Sequence, residues 1–361
     1  MDLGTLGTDE SRAIAINDHN QVLGTLKDKR RTYGFLWSEK EGLELLELPG
    51  LEGRRGCHYY SGNLKLNNRG QFCGYYTPQQ PQQNIIHAQS FFWDRQHGFV
   101  RVVLPQGGYD VKAEFLNDEG TVAGSYLLPG KEKQPRCFLW KEGFTADLTA
   151  VFNAQWGNHW QLVRIAALSN NGDVAIVARP MDPKGNNWKR RIDPIDALMY
   201  RLEKSFIYKD GQFSMFCPGM GFTTNVVIID MDDDQNIIVD VAELECVNPY
   251  HCAEHETRSL FFSNTYPFVA SLQYGERQIL GGVPQAKGHL AGKLKQDESG
   301  SAYFGSGPSI DRLIARSLPS HSDFYPWDRH SFSGQNSQGC VVGYASTLND
   351  SHAYIAIPVE E

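Results

Sequence analysis

Apolar and polar residues alternate with a period of two over short stretches, and the alternation returns at a fixed distance. Residues 13–24 read AIAINDHNQVLG, residues 63–74 NLKLNNRGQFCG and residues 113–124 AEFLNDEGTVAG. The shared frame is an alternating stretch, then Asn, Asp or Asn, any residue, Gly or Asn, a polar residue, an apolar pair and Gly. Weaker copies begin at Ala166 (AALSNNGDVAI), Ile228 (IIDMDDDQNIIV), Gly282 (GVPQAKGHLAG) and Ser333 (SGQNSQGCVVG). The Asn position falls at Asn17, Asn67, Asn117, Ser169, Asp232, Gln285 and Asn336, with spacings of 50, 50, 52, 63, 53 and 51 residues. Alternation before the turn marks a strand with one buried face. Asn, Asp and Gly tolerate the left-handed backbone of a tight turn. The apolar pair that follows is the returning strand, so each frame predicts a β-hairpin.

A third apolar-aromatic run follows each hairpin: YGFLW (33–37), QSFFW (89–93), CFLW (137–140), ALMY (197–200), SLFF (259–262), SAYF (301–304) and HAYIAI (352–357). A fourth follows in six of the copies, including LELLELPG (43–50), FVRVVLPQGG (99–108) and TADLTAVF (145–152). Four short strands in about 50 residues cannot bury both faces alone, so the copies must stack. Radial repetition of four-stranded antiparallel sheets predicts an all-β, seven-bladed β-propeller. The seventh copy stops after its third strand. The opening DLGTLG resembles the fourth-strand endings, so Asp2–Gly7 is expected to pair beside His352–Ile357 and close the ring, hiding the edge strands.

The 361 residues would by length accommodate two or three domains. The repeat instead predicts a single domain over 1–361, with blades at 12–50, 58–108, 109–152, 160–220, 222–275, 276–320, and 328–358 together with 2–7. The composition, 41% apolar and 12% aromatic, is that of a chain with a core rather than a disordered one. A net charge of −8 argues against a protein that tracks nucleic-acid phosphates, since backbone affinity needs clustered Lys and Arg. No apolar run approaches the ~20 residues of a transmembrane helix. The opening MDLGTLGTDESR has neither a basic nor an apolar signal region. The expected location is therefore the cytoplasm, or outside it by a route other than Sec; an extracellular protein would imply a truncated sequence. The seven scattered cysteines do not form a disulfide framework, and a reducing compartment is expected. A monomer is expected.

DLGTLG (2–7), AIAINDHNQVLG (13–24), YGFLW (33–37), HAQSFFW (87–93) and HAY (352–354) together resemble the bacterial HAF-repeat family. That family is named for a His-Ala-Phe tripeptide on the third strand and carries DLGTLGG and AIN-x-x-G-QVVG elements. The resemblance covers roughly residues 1–150 and 333–357 and thins between 165 and 330. It implies a bacterial protein of a family often labelled extracellular. It brings no shared catalytic activity, so no site residue is carried over.

In such a fold the Asn turns lie at one end of the sheets. The second-to-third loops and the inter-blade links lie at the other. The long segments all belong to the second end: Thr77–Gln89, Leu127–Arg136, Asn153–Gln161, Arg179–Asp196, Glu243–Arg258 and His321–Ser331. Long loops on a rigid scaffold are where binding usually resides. Three clusters supply aromatic bodies with polar tips suited to a ligand surface. They are Arg54, Arg55, Tyr59 and Tyr60 in RRGCHYY, then Trp156 and Trp160 in QWGNHW, then Tyr325 and Trp327 in HSDFYPWDRH. The plainer reading packs these rings between blades. Trp188, Arg190 and Arg191 form a basic insert in blade four, suited to an acidic partner or serving only as a solvated loop.

No nucleophile elbow, phosphate loop or HExxH motif is present. His58, His159, His321, Asp323, Arg329 and His330 could still assemble a hydrolase or lyase site at the channel mouth. In the 246–256 stretch, Cys246, His251, Cys252 and His255 offer soft and imidazole donors, but C-x5-C and H-x3-H match no standard zinc site. A Cys246–Cys252 disulfide or an ordinary polar loop are the other readings. Asp230 and Asp232–Asp234 fall on the turn frame and read as turn chemistry rather than a calcium loop. No cofactor is implied. The sequence thus points to a non-catalytic module that binds a protein or carbohydrate on its long-loop face, compatible with a secreted or host-delivered bacterial factor.

Overall fold

The computed structural model describes residues 1–28, 32–49, 64–77, 87–104, 107–129, 135–157, 160–181, 203–216, 224–233, 237–248, 251–262, 269–272, 294–296, 302–304, 329–346 and 351–357. The first copy of the frame gives β1 (Glu10–Ile16), β2 (Val22–Lys27), β3 (Thr32–Ser38) and β4 (Gly42–Leu46). The second gives β5 (Lys65–Leu66), β6 (Phe72–Tyr76), β7 (Gln89–Asp94) and β8 (Gly98–Arg101). The third gives β9 (Tyr109–Leu116), β10 (Val122–Leu127), β11 (Arg136–Lys141) and β12 (Phe144–Asp147), then helix α1 (Leu148–Trp156). The fourth gives β13 (Trp160–Leu168), β14 (Val174–Pro180), β15 (Lys204–Lys209) and β16 (Gln212–Phe216). The fifth gives β17 (Thr224–Met231), β18 (Ile237–Asn248), β19 (His251–Phe262) and β20 (Val269–Leu272). Then come β21 (Leu294–Gln296), β22 (Ala302–Phe304), β23 (Arg329–Gln335), β24 (Val341–Ser346) and β25 (Ser351–Ala356).

The fold is all-β. Copies two to five each form a four-stranded sheet whose strands neighbour one another in chain order. β21 and β22 form a two-stranded sheet. β23–β24–β25–β1–β2–β3–β4 form one seven-stranded sheet, in which a single parallel pairing, Glu10 with Ser351, joins β25 to β1. The described residues separate into two compact units. One comprises Met1–Val102, Val111–Asp118 and Gly275–Glu361; the other comprises Val103–Asp110 and Glu119–Tyr274.

The first strands share a local irregularity. Their register shifts between Ala13 and Ala15, Ile165 and Ala167, Ile228 and Asp230, and Phe332 and Gly334. The shift lies at the same place before each Asn position, as expected of a bulge built into the repeat. The final Gly of the frame pairs directly with the aromatic residue of the third strand: Gly24 with Phe35, Gly74 with Phe91, Gly124 with Phe138, Gly343 with Tyr354. These rings are buried, and the glycine leaves the space they occupy. Side chains from successive sheets then interleave, as in the cluster of Ile14, Leu23, Leu36, Leu66, Phe72 and Phe91.

The small residue before that ring also has a role. Ser90 Oγ accepts from Ala113 N at 2.7 Å and donates to Val111 O at 2.7 Å, tying β7 to the next first strand. Ser205 Oγ accepts from Ile228 N at 2.8 Å in the equivalent place. Where the third strand carries Ala353 instead, the hydroxyl comes from the other partner, and Ser11 Oγ accepts from Ala353 N at 2.7 Å.

Four expectations are corrected. The fourth strand expected over 145–152 ends at Asp147, because the Asp147 carboxylate accepts from Ala150 N at 3.0 Å and caps α1. The loop expected over Asn153–Gln161 is therefore the end of that helix, stopped at Gly157 with φ of 70°, and the start of β13. The loop expected over Glu243–Arg258 is strand instead: β18 and β19 run to 12 residues each and stay paired through Cys246 and Cys252, across a register shift between Ala242 and Leu244. The closing strand expected over Asp2–Gly7 is shorter than its sequence suggested. Asp2 bridges Tyr354, and Leu3 N donates to Ala353 O at 3.0 Å. Gly4 and Gly7, with φ of 78° and 79°, then turn the chain away.

Candidate functional site

The two ends of the sheets differ in what their polar groups do. At the turn end, Asn17, Asn67, Asn117 and Asn336 are buried, as are Ser169 and Asp232 in the same frame position. Asn67 shows the pattern in full. Its Oδ1 accepts from Arg69 N at 3.0 Å and Gln71 N at 2.9 Å, holding its own turn. Its Nδ2 donates to Gln71 Oε1 at 2.8 Å and to Asn117 O, in the next turn, at 2.8 Å. Asn17 repeats this toward Asn67 O at 2.9 Å, and Asn336 toward Asn17 O at 3.0 Å.

A second row of bonds runs beside the first. Ser337 N donates to Asp18 Oδ1, Asp18 N to Asn68 Oδ1, and Asn68 N to Asp118 Oδ1, at 2.7–2.8 Å. Asn68 Nδ2 sits between the Asp18 and Asp118 carboxylates, 3.0 Å from each. In the other unit Asn170 N and Nδ2 donate to Asp233 at 2.5 and 3.0 Å. Asp233 therefore ties its turn to the neighbouring one and Asp232 is buried in the Asn position; Asp234 lies outside the described residues. This end is occupied by its own hydrogen bonds.

At the other end, α1 carries the best-described sequence candidates. Phe152 is fully buried and faces Phe206 and Phe213 edge-on, at 4.9 and 5.0 Å between ring centroids. Trp156 packs on Phe206 at 5.0 Å and donates its indole N–H to Phe213 O at 3.4 Å. Trp160, at the start of β13, packs on the same ring at 5.3 Å. Gln155 holds the outer strand, donating from Nε2 to Phe213 O at 2.6 Å and accepting from Phe213 N at 2.8 Å. Both indoles are thus fixed from behind and remain half-buried. That geometry offers flat apolar area on a rigid base.

Beside α1, Asp147 Oδ2 accepts from Tyr126 OH at 2.9 Å and from Arg136 Nε at 3.1 Å. Burial and the neighbouring carboxylate push the Tyr126 phenol up to about 12, against the opposing pull of Arg136. Burial alone would lower Arg136, but its bonds to Asp147 and Tyr126 outweigh this and raise it. A phenol held protonated and a guanidinium already matched to a carboxylate make a clamp, not an acid–base pair. Burial likewise pushes Cys73 up to about 12. Since the thiolate is the reactive form, Cys73 should resist a maleimide reagent in the native protein and be labelled only in denaturant, as mass spectrometry would record.

The remaining sequence candidates fall as follows. Arg329 and His330 lie on β23, opposite Ser346 and Ala345, not in a loop. Cys246 and Cys252 are register partners on β18 and β19, His251 lies opposite Asn248, and His255 lies beside a register shift. Among the described residues, no three His, Cys, Asp or Glu side chains converge to hold a metal ion. Arg54, Arg55, His58, Tyr59, Tyr60, His159, Trp188, Arg190, Arg191, His321, Asp323, Tyr325 and Trp327 lie outside the described residues. The residues that sequence reasoning missed are Gln155, Tyr126, Arg136 and Asp147. Only the Asp147 cap, set before an apolar run, left a trace in the sequence. No helix among the described residues is long and apolar enough to cross a membrane.

No family model matches the chain, and no curated protein does. Among solved structures it is similar to the acylaminoacyl peptidase of Pyrococcus horikoshii, with 12% identity over 92% of this chain and 50% of that one, TM-score 0.44. The chain thus spans about half the length of that peptidase. It is also similar to an ulvan lyase, at 7% identity over 97% and 95% of the two chains, TM-score 0.42. A third is the six-bladed propeller lectin of Aleuria aurantia, at 7% identity over 96% and 91%, TM-score 0.32.

Proposed function

We propose that the protein is a non-catalytic binding module that recognises a protein or carbohydrate ligand at the loop end of its sheets. The observation that carries this reading is the contrast between the two ends. The turn end is consumed by repeat-to-repeat hydrogen bonds, whereas the loop end presents Trp156 and Trp160 half-buried on a fixed aromatic base. From the sequence alone, Arg54, Arg55, Tyr59, Tyr60, Tyr325 and Trp327, with the basic insert of Trp188, Arg190 and Arg191, are offered as further binding residues. We take the scaffold to be a closed seven-bladed ring of the HAF-repeat kind. Supporting this, Asp2–Leu3 stands to Tyr354 as Asp147–Leu148 stands to Phe138, so the amino-terminal segment occupies a fourth-strand position.

The test is capture on a glycan array and on immobilised candidate proteins, with Trp160→Ala, Trp160→Phe and Trp156→Ala compared with wild type. An aromatic anchor at a binding centre is worth at least about a tenfold change. Trp160→Ala is expected to lose capture by that factor while Trp160→Phe retains most of it. Undiminished capture by both alanine variants, with native melting behaviour, would move the site elsewhere.

A further inference from the structure

Two places in the fold set a third-strand cation against a fourth-strand aspartate in the same register. In the third copy, Arg136 stands two residues before Phe138, Phe138 pairs with Asp147, and the guanidinium binds that carboxylate. In the last copy, His352 stands two residues before Tyr354, Tyr354 bridges Asp2, and His352 Nδ1 lies 2.9 Å from Asp2 Oδ2. The first pair joins strands that are continuous in sequence and uses a cation that never loses its charge. The second joins segments 350 residues apart and uses the one cation that titrates near neutral pH.

We propose that Asp2–His352 is a pH-sensitive latch that fastens the amino-terminal strap, residues 1–3, to the edge of β25. Little else fastens the strap. Its ladder is Leu3 N to Ala353 O and Ile355 N to Met1 O, both 3.0 Å, with the Met1 amino group on Ile355 O at 2.7 Å. Gly4 and Gly7 take left-handed turns directly after it. Leu3 is its sole apolar contribution to the cluster that includes Ala353 and Ile355.

The described charged groups around His352 are few. On the strap they are Asp2 and the Met1 amino group. On β24, Ala345 stands opposite His352, and the adjacent Tyr344 ring lies 4.7 Å beneath the Arg12 guanidinium. On β1, Glu10 is matched by Arg12 at 3.3 Å and Lys27 at 2.9 Å. Among the described residues, Asp2 bonds the imidazole, Nδ1 to Oδ2 at 2.9 Å. Burial works to raise Asp2, but the bonds from His352 and Gly4 N outweigh it and hold Asp2 below its ordinary range.

The signs follow from linkage. Closing the strap gives His352 a carboxylate partner, so closure favours imidazolium. That contribution is present below the ordinary imidazole range, around pH 6.5, and fades as pH rises through it. Asp2, held low, contributes above the ordinary carboxylate range and is lost only as strong acid protonates it. The Met1 amino group, which burial lowers from its ordinary value, works the other way, so the His352 contribution is read as the difference between the wild type and a variant changed only at His352. Opening it uncovers the β25 backbone at Ala353 and Ile355 and withdraws Leu3 from the core.

Amide hydrogen exchange at Leu3 and Ile355, corrected for intrinsic rates, tests this between pH 5.5 and 8.5. Opening is expected to increase about two- to fivefold across that range, the size of a half-exposed ion pair. His352→Arg should copy the Arg136 pair and keep protection high, without the loss that His352 brings as pH rises. His352→Gln should leave protection low, likewise without that loss, and the Asn117 amide should serve as an unmoved reference in all three proteins. A flat profile in the wild type, or an undiminished pH dependence in His352→Arg, would overturn the latch.

Discussion

Asn67→Leu is expected to lower the unfolding free energy by about 3 kcal/mol or more, with the urea midpoint falling accordingly. The two side chains have the same number of heavy atoms and the same branching, so no cavity accounts for the loss. The carboxamide accepts from Arg69 N and Gln71 N and donates to Gln71 Oε1 and Asn117 O, all within 3.0 Å, at a position that is 1% exposed. Leucine removes all four of those bonds where water reaches poorly, and each polar group left unsatisfied costs about 1–3 kcal/mol. Asn67→Asp separates the two halves of the role. It keeps the acceptor for the turn but points an anion at the Asn117 carbonyl. Burial and that carbonyl raise the new carboxyl above its unfolded value, so its penalty is complete near neutral pH and shrinks as pH falls and the acid protonates. Stability of Asn67→Asp that is equal to wild type at pH 7 would show that the repeat-to-repeat bond contributes little.

The rhythm of the fold was legible because the turn requires a rare set of side chains. Asn17, Asn67 and Asn336 each span from their own turn to a neighbouring turn's carbonyl, and Asn17, Asn67 and Asn117 stand 50 residues apart. Ser169 is harder to read. A hydroxyl holds its own turn through Asp173 N at 3.1 Å but has no amide to extend across, and the bond to the next copy passes to Asn170 and Asp233. Helix α1 was not legible because its apolar run could serve strand or helix, and the deciding contact is a single carboxylate cap. The extended β18–β19 hairpin was read as a loop because polar residues and Pro249 suggested irregular chain. The site is less legible than the fold for a structural reason. Turn residues recur in a shared frame that marks them, whereas Gln155, Trp156 and Trp160 belong to no recurring frame that would pair them with Phe206 and Phe213.

Gly24→Val is expected to be among the most damaging surface-neutral changes in the protein, and Phe35→Leu to relieve part of the damage. A Cβ at Gly24 would lie 2.3 Å from Arg12 O and 2.4 Å from Phe35 Cε1 and Cζ. Arg12 O belongs to the β1–β2 ladder, and Phe35 is fully buried, so neither gives way readily. Overpacking of that kind costs about 1–3 kcal/mol, and the added branches of valine put it at the upper end. The same cross-strand position takes a larger residue elsewhere in the chain. Val239 is paired with Leu260 rather than with an aromatic residue. Ile176 is paired with Phe206, whose ring packs with Phe152, Trp156 and Trp160. The frame's glycine and the third-strand ring are therefore one packing decision made with two residues. Gly24→Val combined with Phe35→Leu copies the Val239–Leu260 choice. Residues in contact couple by about 0.5–3 kcal/mol, so the double variant should be more stable than the two single losses predict, by about 1 kcal/mol or more. Urea denaturation of the four proteins gives the coupling directly. Strict additivity would mean that the clash with Arg12 O alone sets the cost, and that the glycine is held by the strand backbone, not by the ring.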